Sequence, residues 1–378
     1  MRICHVITKP ELGGAQVSTL NILSALPRDK YDISIITSAH GMLEPEFRGL
    51  ENAKAFFSRF LVRPINPVFD ILAFIHIYLI YRSHKYDLVH THSSKAGIIG
   101  RWAARLANIP TIIHTAHGWS FNDYQHPIVR KFYIFLERIT ARVTTKIICV
   151  SKHDIDTALR YKIAQGEKLT LIKYGILLRK FRGPKTDIQL KKRGLGIANN
   201  DPVIGMVSCL KPQKSPADYV RAAIEIYKEM PAVNFLMVGD GVLRSQCKKI
   251  LDATTLNGRF IFTGWRRDVS EILDVLDVVV LTSKWEGMPI SIIEALSKGC
   301  VVVATDAGGT SELVKDNVTG YIVQPGSYRQ VARKVINVLN DRQLFQSVKN
   351  RAYSFIDDSF DVSRMVNEIH NLYQRLTR

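Results

Sequence analysis

Two glutamates eight residues apart, Glu286 and Glu294, have the residue type and spacing to bind one ligand at two points. They lie in the segment SKWEGMPISIIEALSKG, directly after the apolar run Val278 to Leu281, which predicts a buried parallel strand. Gly287 and Pro289 then break the chain before a helix, with Pro289 expected in its first turn. The first carboxylate is therefore predicted at the carboxyl end of a strand, where open α/β sheets bind ligands, and the second about two turns along the helix. The alternative is a pair of solvated glutamates on a helix surface.

The start of this helix also offers main-chain donors. The N–H groups of Gly287, Met288 and Ile290 come before the first intrahelical hydrogen bonds and could face a ligand. Pro289 has no N–H to offer.

Four further segments keep an order and spacing typical of one enzyme family. They are GGAQ (Gly13 to Gln16), VGDG (Val238 to Gly241), FTGWRRDV (Phe262 to Val269) and DAGGTSELV (Asp306 to Val314). With the Glu-x7-Glu element, the chain resembles, over essentially its whole length, the family 4 retaining glycosyltransferases with the GT-B fold, the glycogen-synthase-like group. The resemblance implies an α/β protein with two doubly wound, Rossmann-like domains that face each other across a cleft.

The resemblance also implies roles for the residues of the second half. Glu294 would hold the ribose of a nucleotide, because a carboxylate can accept two hydrogen bonds from a vicinal diol. Glu286 would contact the donor sugar. The turns at Gly239 and Gly241 and at Trp265 would accommodate the nucleoside, and a purely structural turn is the alternative for each.

Gly13 and Gly14 lie between the first predicted strand and a helix, so their amides and the helix dipole could bind a phosphate. The pattern is not G-x-G-x-x-G, which weakens a nicotinamide-dehydrogenase interpretation. The resemblance places this loop near the donor diphosphate, and a simple turn is the alternative. Gly308 and Gly309 are interpreted as a structural turn, with a weaker claim on the ligand.

Lys214 follows a predicted strand, where an ammonium could neutralise charge growing on a departing nucleotide diphosphate. The family pattern G-R-L-x-x-x-K matches at this lysine, but Ser208 and Cys209 stand where Gly and Arg are expected. Lys211 could supply the second cation, although a point charge cannot reproduce bidentate guanidinium binding. For both lysines the alternative is a solvated loop residue.

His117 follows another predicted strand, and the resemblance implies that it contacts the transferred sugar or lends its backbone near the reaction centre. His90, His92, His114 and His117 suggest a metal cluster, but alternation within strands sends neighbouring side chains to opposite faces. A packed or hydrogen-bonded structural role is therefore expected for His90 and His114.

His92, Ser93 and Lys95 occupy a predicted strand-to-helix turn and could help an acceptor or a phosphate to bind. A metal-dependent GT-A enzyme would need a D-x-D motif at a strand end. Asp154 and Asp156 match the letters, but they fall in the first turn of a predicted helix, where the helix dipole explains acidic residues. We therefore expect no metal and no cofactor besides the donor substrate.

The elements that must position these residues alternate along the chain. The predicted strands of the first half are Ile3 to Ile7, Ile33 to Thr37, Leu88 to Thr91, Thr111 to Thr115 and Lys146 to Val150. Helical patterns such as Ala15 to Leu26 and Lys95 to Ala107 fall between them, as in a doubly wound parallel sheet. A second series begins at Val203 and continues through Asn234 to Val238, Arg259 to Phe262, Val278 to Leu281 and Val301 to Thr305.

The segment Tyr174 to Pro202, with several glycines, Pro184 and charge clusters, is interpreted as the interdomain connection. The predicted domains are an N-terminal acceptor-side domain, 1–176, and a C-terminal nucleotide-sugar domain, 177–360. In the family the last helix crosses back to the first domain, and residues 361–378 are predicted to do the same here. Val362 to Arg375 has the amphipathic pattern for it, and an ordinary terminal surface helix is the alternative.

Composition limits the remaining possibilities. Five scattered cysteines without a C-x-x-C pair argue against a zinc site or a disulfide framework and favour reduced cytoplasmic thiols. No export leader is evident, and the most apolar run, Ile71 to Ile80, is about half the length needed to span a bilayer.

The net charge is +18, of which residues 1–180 carry +12 from 25 Lys and Arg against 13 Asp and Glu. This excess favours anionic partners such as a phospholipid surface or a lipid-linked pyrophosphate, and generic solubility is the alternative. Nucleic acid is the least favoured partner, because no aromatic-interleaved RNA-binding motif accompanies the charge.

The sequence thus predicts a cytoplasmic, peripherally membrane-associated glycosyltransferase that moves a hexose or N-acetylhexosamine from a nucleotide diphosphate sugar, expected to be a UDP-sugar. The expected acceptor is a lipid-linked intermediate of surface polysaccharide synthesis. Two alternatives stay open: a nucleotide-sugar 2-epimerase of the same architecture, and a membrane-associated scaffold that has lost its chemistry. Donor identity, acceptor, linkage and oligomeric state cannot be read from the sequence.

Overall fold

The computed structural model describes residues 1–183, 186–197 and 201–377, with the side chain of residue 257 left out. It divides into two compact units: a first unit, Met1–Gly175 together with the C-terminal residues from Val362, and a second unit, Ile176–Asp361. Pro184, part of the predicted interdomain connection, lies outside the described residues.

The first unit contains a parallel sheet in the order β3-β2-β1-β4-β5-β6-β7. Its strands are β1 (Arg2–Val6), β2 (Asp32–Thr37), β3 (Ala53–Phe57), β4 (Leu88–His92), β5 (Thr111–Ala116), β6 (Lys146–Cys149) and β7 (Leu169–Leu171). The second unit contains a parallel sheet in the order β10-β9-β8-β11-β12-β13. Its strands are β8 (Val203–Val207), β9 (Asn234–Val238), β10 (Phe260–Gly264), β11 (Val278–Leu281), β12 (Val301–Thr305) and β13 (Gly320–Val323).

Helices connect the strands in both units, which confirms the predicted α/β class. Those of the first unit's main segment are α1 (Gly14–Ala25), α2 (Glu44–Arg48), α3 (Pro67–His84), α4 (Ser94–Leu106), α5 (Pro127–Arg142) and α6 (Lys152–Arg160). Those of the second unit are α7 (Leu178–Arg182), α8 (Ile188–Gly194), α9 (Pro216–Glu229), α10 (Arg244–Asp252), α11 (Val269–Val275), α12 (Ile290–Ser297), α13 (Thr310–Leu313), α14 (Tyr328–Asn340) and α15 (Arg342–Phe355). The C-terminal α16 (Val362–Leu376) belongs to the first unit, where it packs against α1.

The two faces of the first sheet carry different side chains because side chains alternate along a strand. Cys4, Val6 and Val89 face α3 and α4 and form an apolar core with residues such as Ala73 and Ile77. The residues between them in β1 and β4, which include His5 and His90, lie on the opposite face. Strand alternation thus places an apolar layer on one side and polar rings on the other.

No helix among the described residues combines the length and apolarity needed to cross a bilayer. Helix α3, which contains the predicted apolar run, nevertheless has apolar residues on both of its sides. Ala73, Ile77 and Ile80 are buried, whereas Ile71 and Ile75 are exposed.

Candidate active site

Lys214 and Glu286 meet at the carboxyl edge of the second sheet. Strands β8 and β11 are neighbours, so the loops that follow them lie side by side. Lys214, in the 3-10 turn Pro212–Lys214, forms an ion pair with the Oε1 atom of Glu286. The Ser283 hydroxyl donates to the same oxygen over 2.5 Å. The two side chains are only 14% and 6% exposed, so water screens this pair much less than a surface pair.

Hydrogen bonds hold these two loops against each other. The Gln213 side-chain amide donates to the Trp285 carbonyl over 2.9 Å, and the Lys284 N–H donates to the Gln213 carbonyl over 2.7 Å. The Thr282 hydroxyl donates to the Ser215 carbonyl over 3.0 Å. The ion pair is therefore positioned by the loop backbones as well as by its own attraction.

The glycine turn after β12 packs against the backbone of the Glu286 loop. Gly308 has a positive φ of 57°, and a Cβ atom there would lie 1.9 Å from the Glu286 carbonyl oxygen. The Gly309 N–H donates to the Gly287 carbonyl over 2.8 Å. The structural role that this turn plays is therefore to fix the backbone that carries Glu286.

Glu294 lies in the second turn of α12 and is half-buried. The helix begins at Ile290, and Pro289 is its N-cap, with a φ of −77° and a ψ of 105°. The prediction that Pro289 lies within the first turn is therefore wrong by one residue. Burial raises the pKa of Glu294 to about 7, and the charge of Lys180 opposes this rise only in part. The carboxylate makes no hydrogen bond or ion pair with any residue that the structure describes, so both oxygens are available to a ligand.

The turns after β8 and β9 pack closely. A Cβ atom at Gly239, whose φ is 126°, would lie 2.0 Å from the Ser208 carbonyl oxygen, so only glycine fits there. A Cβ atom at Gly241 would lie 2.5 Å from the Leu210 carbonyl oxygen. Both glycines therefore have a local structural reason, and their expected contact with a nucleoside stays a prediction.

The basic residues near this edge differ in whether their side chains are paired with an acidic residue. Lys211, at the N-cap of the 3-10 turn, is half-exposed, and its ammonium group makes no hydrogen bond or ion pair with a described residue. Cys209, which stands in place of the family arginine, is also half-exposed. Trp265 is 36% exposed at the end of β10, and its neighbour Arg266 pairs with Asp268 over 2.5 Å. Lys211 is thus the cation of this group that remains open to an anionic ligand.

In the first unit, Gly13 is the N-cap of α1, and Gly14 is the first residue of the helix and is exposed. The Gln16 side-chain amide donates to the Lys9 carbonyl over 3.1 Å and closes the loop. The helix start predicted to bind phosphate therefore exists, with Gly13 in an ordinary extended conformation.

His117 follows β5, and both of its ring nitrogens are occupied. The Nε2 atom lies 3.0 Å from His92 Nδ1, and the Nδ1 atom is hydrogen-bonded to the Tyr174 hydroxyl. Burial lowers the pKa of His117 to about 3, so the ring is neutral at physiological pH. The arrangement favours the second of the two predicted roles, in which His117 contributes its backbone.

The three predicted acceptor-side residues all contact other protein groups. His92 is fully buried against His5 and His117. The Ser93 hydroxyl lies 2.8 Å from Thr8 Oγ1, and Lys95 forms an ion pair with Asp70 over 2.5 Å. The structure thus gives each of the three an internal role, and acceptor binding by them stays a prediction.

Strand alternation separates His114 from the other histidines, but it does not separate His90 from His92. His114 faces α4 and its Nδ1 lies 3.0 Å from Thr91 Oγ1, on the side away from the other rings. His90 and His92, two residues apart in β4, lie on the same face of the sheet as His5 of β1, which sequence analysis missed. No local signal marks His5, because a single histidine in an apolar strand resembles any buried polar residue.

The loop after His117 is fastened by a buried ion pair that the sequence did not reveal. Arg101 of α4 donates to Glu137 of α5 over 2.9 Å. Glu137 also accepts from the Ser120 hydroxyl over 3.2 Å, and the Trp119 indole donates to the Asp154 carbonyl over 2.9 Å. Asp154 lies in the first turn of α6, as predicted, and is buried there.

The family described as "Glycosyltransferase Family 4" matches residues 12–179, and "Glycosyl transferases group 1" matches residues 187–355. The UDP-Gal:alpha-D-GlcNAc-diphosphoundecaprenol alpha-1,3-galactosyltransferase of Escherichia coli is 34% identical over 376 residues, which are 99% of this chain and 96% of that protein. The chain belongs to the family 4 glycosyltransferases. The recognition made from the Glu-x7-Glu element and its companion segments is therefore confirmed.

Solved structures confirm the GT-B fold of this glycosyltransferase. HepE of Anabaena, in complex with UDP and glucose, matches with a TM-score of 0.84 and 22% identity over 99% of this chain and 100% of that chain. WaaG, a glycosyltransferase involved in lipopolysaccharide biosynthesis, matches with a TM-score of 0.81 and 15% identity over 98% and 99%. At these identities the likeness establishes the fold alone.

Proposed function

We propose that this glycosyltransferase moves a hexose or N-acetylhexosamine from a UDP-sugar to a lipid-linked acceptor, with retention at the anomeric carbon. The ion pair of Lys214 and Glu286 carries the proposal, because a cation and the carboxylate that we assign to the donor sugar lie together at the carboxyl edge of the second sheet. The printed names of relatives support the substrates: the Escherichia coli protein uses UDP-Gal and a diphosphoundecaprenol acceptor, and HepE was crystallised with UDP and glucose.

The proposed chemistry is a same-face displacement. The bond between the anomeric carbon and the diphosphate oxygen breaks, and the acceptor oxygen bonds to the anomeric carbon on the same face. The acceptor proton passes to the leaving phosphate, so no protein base is needed. Lys214 stabilises the charge that develops on the diphosphate, and Glu286 accepts hydrogen bonds from the sugar hydroxyls. Because Lys214 supplies this charge, we propose no metal requirement, which turnover in EDTA would check.

The donor class can be tested by thermal stabilisation with a panel of nucleotide sugars. Bound donor raises the midpoint of unfolding by mass action, so the true donor should give a larger shift than its competitors. The anomeric configuration of the product, read by NMR, then tests retention. Turnover of the nucleotide sugar without any acceptor would instead identify a 2-epimerase, and an inverted product would contradict the proposed displacement.

Glu294 should make donor affinity depend on pH. Since its pKa is raised to about 7, the carboxylate is ionised above neutral pH and protonated below it. A protonated group loses the charge-assisted hydrogen bonds to the ribose, so donor affinity should fall as the pH decreases through 7. Glu294→Gln should weaken donor binding by about tenfold or more, since such bonds contribute roughly 1.5–3 kcal/mol, and should remove this pH dependence. Calorimetric titration between pH 6 and 8 measures both, with the intact UDP-sugar that stabilises the protein most, because its esterified diphosphate does not titrate in this range as free UDP does.

Glu294→Gln should weaken donor binding but should stabilise the fold against unfolding. A folded-state pKa above the unfolded value means that ionisation destabilises the fold, and stability is lost as pH rises through about 7. Glu294→Gln should therefore unfold at a higher temperature than the natural protein at pH 8 without ligand, and the gap should narrow as the pH falls below 7 and close below about pH 4.5. Unchanged donor affinity in a variant with this stability profile would exclude Glu294 as the ribose ligand.

A surface of the first unit supports the lipid-linked acceptor. The exposed side of α3 is a continuous apolar stripe, and its members are Val68, Ile71, Leu72, Ile75 and Leu79. Helix α5 exposes a second apolar group, consisting of Ile128, Val129, Phe132 and Phe135. Helix α4 packs against both α3 and α5. Exposed apolar area of this extent is unusual in a protein surrounded by water and is typical of a membrane-contacting surface.

Basic residues accompany these apolar stripes. Arg63, Arg82 and Lys85 are exposed around α3, and Lys131 and Arg138 are exposed on α5. Each cation near an anionic leaflet adds about 1 kcal/mol before salt screening. An apolar groove between α3 and α4, about 420 Å³ in volume and lined by Ile71, Phe74, Ile98 and Trp102 among others, opens on the same surface. We therefore propose that α3 and α5 dock the protein on anionic lipid.

Liposome co-sedimentation tests this docking. Binding should require anionic lipid and should weaken as salt rises, because the Debye length shortens. Phe132→Ser with Leu79→Ser should abolish sedimentation, whereas Val242→Ser, which removes an even more exposed apolar side chain of the second unit, should leave it intact. Equal binding to neutral and anionic vesicles, or none to either, would contradict electrostatic docking and favour a soluble acceptor.

A further inference from the structure

A continuous series of hydrogen bonds leads from the half-buried His117 into the interior of the first unit. His117 is bonded to the Tyr174 hydroxyl through Nδ1 and to His92 through Nε2. The Nε2 atom of His92 lies 3.0 Å from His5 Nδ1. Three rings from the ends of β5 and β4 and from the interior of β1 are thus linked nitrogen to nitrogen.

The series continues through the C-terminal helix. The Tyr373 hydroxyl of α16 lies 3.3 Å from His5 Nε2 and 2.5 Å from His90 Nδ1. His90 Nε2 in turn lies 2.7 Å from Thr115 Oγ1. We call the linked rings the histidine chain: Tyr174, His117, His92, His5, Tyr373 and His90.

The hydrogen bonds of the histidine chain can form only in a coordinated way. A neutral imidazole has one N–H donor and one acceptor nitrogen, and each histidine of the chain uses both nitrogens. If one ring moved its proton to the other nitrogen, two donors or two acceptors would face each other unless the neighbouring rings did the same. Two arrangements therefore satisfy every ring, with all donors directed towards Tyr174 or all towards Thr115.

Burial keeps the rings in the neutral form that this pattern needs. It lowers the pKa of His5 and His117 to about 3 and that of His90 and His92 well below the ordinary value. Four neutral imidazoles with satisfied nitrogens avoid the cost of burying unpaired polar groups. A broken link would leave a buried donor or acceptor unpaired, so the chain responds as a unit.

We propose that the histidine chain is a positioning relay in which Tyr373 of α16 couples the tautomer of His117 to that of His90 and holds the orientation of His117, and so the backbone that follows β5. Tyr373, His5 and His92 are positioning residues in this proposal, since they act through His117. Its effect on turnover rests on the proposed function, whereas the coupling of the tautomers does not.

A bound metal ion is the competing explanation for three buried histidines. One nitrogen from each of His5, His90 and His92 lies within 4.8 Å of the others. A metal would take a lone pair from each ring and would displace hydrogen bonds of the chain, because every ring nitrogen there already has a protein partner. The two explanations therefore differ in metal content and in tautomer.

Tyr373→Phe in the full-length protein tests the relay, because it removes one hydroxyl and keeps the ring. The matched control is Tyr31→Phe, which removes a hydroxyl that lies 2.6 Å from His370 Nδ1 of the same helix, outside the chain. NMR of ¹⁵N-histidine-labelled protein reports the protonated nitrogen of each ring. Tyr373→Phe should change the His117 signals, although residue 373 is distant in sequence, and should lower kcat several-fold with KM for the donor little changed.

Tyr31→Phe should change the His370 signals and leave His117 and kcat as in the natural protein. If Tyr373→Phe does not fold, His5→Phe interrupts the chain at the next link and should give the same result. Unchanged His117 signals, equal effects of both tyrosine variants, unchanged kcat, or a stoichiometric metal in the purified protein would each overturn the proposal. Absence of any glycosyl transfer by the natural protein would refute the proposed function instead, and the NMR comparison would still decide whether the tautomers are coupled.

Discussion

Lys214→Ala is expected to lower turnover by on the order of 10²-fold or more, as loss of an electrostatic contact to the transition state does. The ammonium group is held beside Glu286 by the loop backbones, so it is already oriented before the diphosphate begins to leave. Steady-state rates at saturating donor give the effect on kcat, and donor titration separates it from binding. Lys228→Ala removes a charge that is 62% exposed on α9 and should have no effect.

Lys211→Ala should cost less than Lys214→Ala unless Lys211 replaces the missing family arginine. Removing Lys214 also leaves Glu286, which is 6% exposed, without its partner, so some loss could come from disorder of the loop. A double-mutant cycle with Glu286→Gln separates the two causes, because a purely structural effect would be relieved in the double variant. Near-natural activity of both lysine variants would refute the cationic site.

Glu137→Ala is expected to reduce the free energy of unfolding of the first unit by about 3–5 kcal/mol. Arg101 and Glu137 are 0% and 2% exposed, so truncating the glutamate leaves an uncompensated charge in the interior. Chemical denaturation measures the loss, with the two units followed separately because a two-unit protein need not unfold in one step. The variant should also lose activity, since Glu137 holds Ser120 in the loop after His117.

The control for this prediction is Arg28→Ala. It breaks an ion pair with Glu51 whose side chains are 65% and 78% exposed, and it should cost at most about 1 kcal/mol. Replacing both buried partners by apolar residues, Arg101→Met with Glu137→Leu, should recover much of the stability lost in Glu137→Ala. A loss below about 1 kcal/mol for Glu137→Ala would show that water reaches the pair.

Central strands could be predicted from the sequence, whereas three of the four edge strands could not; the fourth, β10, was predicted as Arg259 to Phe262. Asn234–Val238, Val278–Leu281 and Val301–Thr305 have the predicted bounds, because strands buried on both faces are continuous apolar runs. The strands β3, β7 and β13 were missed. All three lie at sheet edges, where burial demands less apolar sequence: β3 includes a lysine, and β7 has only three residues.

In the candidate site, too, some features could be predicted from the sequence and others could not. Glu286, Glu294 and Lys214 were recognisable because each follows or lies near a strand end in a family pattern. The pairing of Lys214 with Glu286 was not, since it depends on β8 lying beside β11, and strand order has no local signal. His5 and Arg101 were missed for the same reason, because their partners come from distant parts of the chain.

The return of α16 to the first unit has a consequence for biosynthesis. The two ends of the second unit lie together, since the Ile176 N–H donates to the Phe360 carbonyl over 2.9 Å. All residues of this unit precede α16 in the chain, so they have been translated before α16 emerges from the ribosome. The first unit still lacks Tyr373 at that moment, so His5 Nε2 and His90 Nδ1 do not yet have the hydroxyl that they contact in the complete unit. Although domains generally fold in the order of synthesis, the unit translated first here is the one completed last.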